Sequence, residues 1–133
     1  MGILIDTSVL IQLERGGAEV SDRVRLAGDD SVFLSVVTAS ELLHGVWRAR
    51  DEGMRARRIA LVEAILREIP LIDLDLAVAR VHAQIWAEQQ AKGLMIGVHD
   101  LWIAATCIAH GFRIATVNVR DFERIPGLQV QRW

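Results

Sequence analysis

The stretch ILIDTSVLI, Ile3 to Ile11, decides how this chain is read. Ile3 to Ile5, with Gly2 before them, form a short apolar run, whereas SVLIQLER from Ser8 onward spaces its apolar side chains helically and meets the stop signal Gly16-Gly17. A strand therefore passes into a helix at Asp6. A carboxylate inside a run fit for a protein core is costly unless it has partners. Asp6 is thus either a local hydrogen-bonding residue, such as a helix cap, or a chemical one.

The same alternation continues along the chain. VFLSV (32–36), PLIDL (70–74), RIATV (113–117) and LQVQRW (128–133) read as strands. TASELLHGVWRARDEG and MRARRIALVEAILREI read as two amphipathic helices separated near Gly53, the second ended by Pro70. DLAVARVHAQIWAEQQAKG and HDLWIAATCIAHG complete the helical set. Strands that are continuous apolar runs between helices indicate a parallel sheet covered on both faces, a three-layer α/β fold. The 133 residues are expected to form a single domain, 1–133.

Hydrophobic residues make up 52% of the chain and the mean hydropathy is +0.29, so part of the apolar surface is expected to meet another chain. A net charge of −2 excludes holding nucleic acid by overall positive charge; such contact needs a local patch. The lone Cys107, in IAATCIAHG, reads as a buried small hydrophobe, and no secretory leader or membrane-spanning run is visible. A soluble cytoplasmic protein is expected.

In a parallel sheet with right-handed crossovers the chain leaves every strand at one edge. Asp6 after the first strand, Glu41 after the second and Asn118 after the fourth should converge there, with Asp121 close by and Asp100 opening a helix. Each has a plain structural alternative. Asp6 could cap its helix, Thr38 to Glu41 fits a T-x-x-E capping box, and Asp100 could be a first-turn acid favoured by the helix dipole. As a set they need a counter-charge, because two carboxylates about 4 Å apart repel by roughly 4 kcal/mol at an effective dielectric near 20. No Cys/His pattern has zinc spacing, and short carboxylates as oxygen ligands suit Mg²⁺ or Mn²⁺ and phosphodiester hydrolysis.

LIDTSVLI, LSVVTASELLHGV, IGVHDLWIAATCIAHG and IATVNVRDFERIPGL, in this order and spacing, resemble the PIN-domain ribonucleases, specifically the VapC toxins of bacterial toxin–antitoxin pairs. The resemblance implies a five-stranded parallel sheet flanked by helices and a Mg²⁺- or Mn²⁺-dependent endoribonuclease active on structured RNA such as tRNA or rRNA. It also implies a homodimer and a cognate VapB-type antitoxin. That antitoxin would lie over the helical hairpin of residues 38–68 and reach the acids with an Arg or Lys. Carried over, the metal ligands are Asp6, Asp100 and, through water, Glu41, with Thr7 or Ser8 steadying the first and Thr116 matching the threonine of the last block. Asn118 takes a fourth catalytic position where relatives often carry Asp, offering a neutral oxygen in place of a charge, with Asp121 as the alternative acid.

RARDEGMRARR gathers Arg48, Arg50, Arg55, Arg57 and Arg58 against Asp51 and Glu52, a solvated helix face or an RNA-phosphate contact. Trp47, Trp86 and Trp102 read as core or interface anchors, His44 as a surface or core histidine, and His99 carries no assignment. Two other function classes fit the acids less well. An Asp-nucleophile phosphatase wants a second Asp where Ser8 stands, and a non-catalytic interaction module would account for Asn118.

Overall fold

The computed structural model describes residues 2–16, 22 and 31–133; Gly17, half of the expected helix stop, lies outside them. In chain order the elements are β1 (Ile3–Ile5), α1 (Thr7–Gly16), β2 (Val32–Ser35), α2 (Val36–Trp47), α3 (Glu52–Glu68), β3 (Leu71–Ile72), α4 (Leu76–Ala91), α5 (Val98–His110), β4 (Arg113–Thr116), α6 (Val119–Glu123) and β5 (Gln129–Arg132). The strands form one sheet in the order β3-β2-β1-β4-β5, every pair parallel. This is the expected α/β architecture.

Alternation along β1 divides the core. Leu4 packs with Val78, Ile85, Leu101, Ile103 and Ile114, so α4 and α5 cover one face; Ile5 packs with Val9, Leu10, Ile65 and Ile69, so α1 and α3 cover the other. Burial on both sides is why β1 reads as an unbroken apolar run. Its register, Leu4 beside Phe33 and Ile114, places it at the centre of the sheet. Because β2 and β4 flank it while their crossovers run to opposite sides, the carboxyl end of β1 is the topological switch point, where this class of sheet opens a crevice.

Several boundaries depart from the sequence reading. The helix expected from Thr38 begins at Val36, because Ser35 caps it by accepting from the Val37 N–H at 3.0 Å. Thr38 is inside the helix and buried, which rules out the capping box. The break expected near Gly53 lies earlier: α2 ends at Trp47, and Asp51 caps α3 by accepting from Met54 N–H at 2.7 Å. Helix α6 was not expected, and β3 is a two-residue edge strand.

Candidate active site

Asp6 leaves β1 at its carboxyl end and is buried. Its Oδ2 accepts from Ser8 Oγ at 2.7 Å and from Thr116 Oγ1 at 2.9 Å. The hydroxyls are themselves held, since Val117 N–H donates to Ser8 Oγ at 3.2 Å and Asn118 N–H to Thr116 Oγ1 at 2.9 Å. Asp6 is not a helix cap: among the described residues no backbone N–H donates to its carboxylate and no group donates to Oδ1. The cost of burying this charge is met by two hydroxyl donors drawn from opposite ends of the chain.

Glu41 projects from the second turn of α2 and accepts from Thr7 Oγ1 at 2.9 Å. Thr7 Oγ1 also lies 3.3 Å from Thr38 Oγ1. Ser8 is therefore the residue that steadies Asp6, and Thr7 serves Glu41 instead. The other Glu41 oxygen is 3.6 Å from His99 Nδ1. His99, unassigned from sequence, is thus the group that reasoning from sequence missed, and its adjacency to Asp100 was the available signal.

Asp100 lies in the first turn of α5, whose N-terminus has no side-chain cap. Its pKa is raised from 3.8 to about 6, first by burial and then by the charges of Asp6, Glu41 and Asp121, with His99 opposing. Asp6, Glu41 and Asp121 therefore lie near enough for their charges to act on Asp100, and the four acids form one cluster. The N-termini of α1 and α5 open beside it and temper its negative charge. Asn118 precedes α6, is exposed, and makes no side-chain capping bond, so the acid that Asp100 feels from this segment is Asp121.

All the donors are carboxylate oxygens, and Asp6 and Glu41 are pre-oriented by hydroxyls. Among the described residues, no three of His, Cys, Asp or Glu close around a single point. Such a set fits a cation that takes one or two carboxylates directly and keeps water between itself and the others, as Mg²⁺ does, and does not fit a closed all-protein cage.

A PIN domain model matches residues 3–128. The chain belongs to the PIN domain family. Within it, the Ribonuclease VapC of Rickettsia bellii is 36% identical over 98% of this chain and 95% of its own length. The tRNA(fMet)-specific endonuclease VapC of Shigella flexneri is 33% identical over 98% of this chain and 96% of that protein. A DNA-bound VapBC structure from Salmonella typhimurium superposes with a TM-score of 0.89 at 29% identity, covering 100% of this chain and 98% of that one. The PIN-domain match spans every acid of the cleft, from Asp6 to Asp121.

The remaining sequence candidates separate. Trp47 and Trp86 are 72% and 56% exposed, so neither is a core anchor, while Trp102 stacks on buried His82 at 3.6 Å. His44 is exposed. Cys107 is free and buried, and burial pushes its thiol pKa far up, so it is no nucleophile. Arg55 lies 5.7 Å from the centre of the Trp47 ring, a cation–aromatic pair that the sequence alone does not display.

Proposed function

We propose that this chain is the toxin of a type II toxin–antitoxin pair, an endoribonuclease that uses Mg²⁺ or Mn²⁺ to hydrolyse phosphodiester bonds in structured RNA such as tRNA or rRNA. The observation that carries this is Asp100, its pKa raised to about 6 by burial and by three neighbouring acids at the switch point of a parallel sheet. Carboxylates so arranged are a liability without a cation. The ribonuclease and endonuclease names of the R. bellii and S. flexneri relatives support RNA as the substrate.

In this reading Asp6 and Asp100 would hold the ion, with Glu41 and Asp121 adding negative charge around it. When bound, the ion supplies Lewis-acid charge at the scissile phosphate and acidifies the attacking water. Ser8 and Thr116 hold the Asp6 carboxylate in one rotamer. Thr7 does the same for Glu41, whose role in this reading would be to orient water.

The whole of residues 1–133 acts as one domain, and a cytoplasmic location is proposed; among the described residues no helix is long and apolar enough to cross a membrane. The VapBC assembly of the Salmonella neighbour supports a VapB-type antitoxin as partner. A homodimer is proposed through α4, the loop after it and the start of α5, where Leu76, Trp86, Met95 and Val98 stand exposed.

Incubation of the protein with total cellular RNA, with and without EDTA, followed by sequencing of new 5′ ends, tests the proposal. Discrete cuts that EDTA abolishes are expected. Absence of cutting under both conditions would favour an interaction module, and a trapped aspartyl-phosphate on Asp6 would favour the phosphatase reading.

A further inference from the structure

The arginine-rich hairpin between α2 and α3 has no part in the site as described, yet the fold connects the two. A groove of about 750 Å³ between α1, α2 and α3 has Thr7 and Glu41 in its wall and Arg15, Arg48, Arg50 and Arg58 along the remainder. Glu41, Gly45 and Arg48 follow one another at i, i+4 and i+7, one face of α2, so Arg48 lies about 10 Å along the helix axis from Glu41. Beyond the cleft acids, Glu14 is the single carboxylate among the lining residues. None of the four arginines has an ion-pair partner among the described residues.

Arg58 is held over the groove floor, its Nη1 donating to the Gly45 carbonyl at 2.9 Å, which leaves the other guanidinium N–H groups for an anion. Arg48 and Arg50 stand exposed at the turn. Beside them Trp47 has Arg55 against its ring and is 72% exposed. A chain of net charge −2 whose cleft is acidic must hold a polyanion by some other surface, and this groove is basic where it leaves the acids.

We propose that the groove is the track of the RNA backbone leading away from the scissile bond, with Arg48, Arg50 and Arg58 on successive phosphates and Trp47 offering its ring to an unpaired base at the far end. This rests on the ribonuclease reading. Phosphate contacts of this kind position the strand and carry no sequence information; the stacked indole accepts any base. An antitoxin lying over the same hairpin would then exclude RNA by occupying its track as well as by reaching the acids.

The test measures anisotropy of a fluorescent stem-loop RNA titrated with full-length protein in an Asp6→Asn background, so that RNA is not consumed, across a series of salt concentrations. Arg48→Gln with Arg50→Gln should weaken binding about tenfold and reduce the salt slope by roughly one to two. Trp47→Ala should weaken binding to the loop more than to a blunt duplex. Arg80→Gln, on the exposed surface of α4, should change nothing. Unaltered affinity and salt slope in the folded double variant would overturn the proposal, as would equal losses in Arg80→Gln. If the double variant keeps RNA affinity but no longer binds the antitoxin, the groove serves the protein partner and the RNA track is wrong. Failure of the protein with Asp6 intact to cut any RNA, with binding still lost in the double variant, would count against the ribonuclease reading and leave the binding track standing.

Discussion

At the scale of single residues, the cleft acids divide into those that are satisfied and one that is not. Asp6 has Ser8 and Thr116, Glu41 has Thr7, and Asp100 has burial and like charges. Its folded pKa of about 6 exceeds its ordinary 3.8, so in metal-free protein the folded state keeps a proton that the unfolded chain releases between these values. Stability should therefore fall as the pH rises from about 4 to about 6 and stay at the lower level above that. Asp100→Asn removes this penalty. In EDTA at pH 7 it should raise stability by about 1 kcal/mol after allowance for solvent screening, with no gain near pH 4; urea titrations at the two pH values read the difference. Glu41 permits a second separation. Glu41→Gln keeps an oxygen for the Thr7 hydroxyl, so thermal stability should be retained while RNA cleavage drops by about a hundredfold. Unchanged cleavage in the Gln variant would return Glu41 to a structural role. The sequence displayed these acids because each follows a strand or opens a helix. It did not display which hydroxyl serves which carboxylate, since Ser8 and Thr116 meet only after β1 and β4 pair.

At the scale of elements, the position of Glu41 depends on where α2 begins. Ser35 fixes that start, three residues before the Thr38 cap that the T-x-x-E pattern suggests, because its hydroxyl reaches Val37 N–H directly at the end of β2. Ser35→Ala should cost about 1 kcal/mol by chemical denaturation. It should also lower cleavage, since fraying the first turn of α2 loosens the Thr7–Glu41 contact; an unaltered denaturation midpoint would show that the cap is dispensable. Central strands and long helices were readable from the sequence, because burial on both faces or on one stripe leaves a periodic trace. Helix α6 was not, since five residues after a strand carry too short a pattern, and the two-residue β3 is defined by pairing with β2 more than by its own composition.

At the scale of the whole molecule, two surfaces remain that no single segment announces. The basic groove is built from α1, α2 and α3, so the sequence leaves the hairpin arginines open between a solvated helix face and an RNA-phosphate contact, and only the fold lines Arg48, Arg50 and Arg58 up in one groove with Glu41. The other surface is apolar: Trp86, Met95 and Val98 surround a pocket of about 440 Å³ whose lining reaches in to half-buried Trp102 and buried Leu101. If this face joins two copies, Trp86→Glu should convert a dimer to a monomer in multi-angle light scattering without loss of helical signal. A parent protein that is already monomeric at high concentration would remove the dimer from the account. Above both surfaces stands the claim that the acid cleft cuts RNA with the help of a divalent cation. Its most direct test is cleavage of end-labelled structured RNA by the parent and by Asp6→Asn in Mn²⁺, with circular dichroism confirming that both are folded. The account predicts discrete cleavage by the parent and none by the variant; undiminished cleavage by folded Asp6→Asn would contradict it.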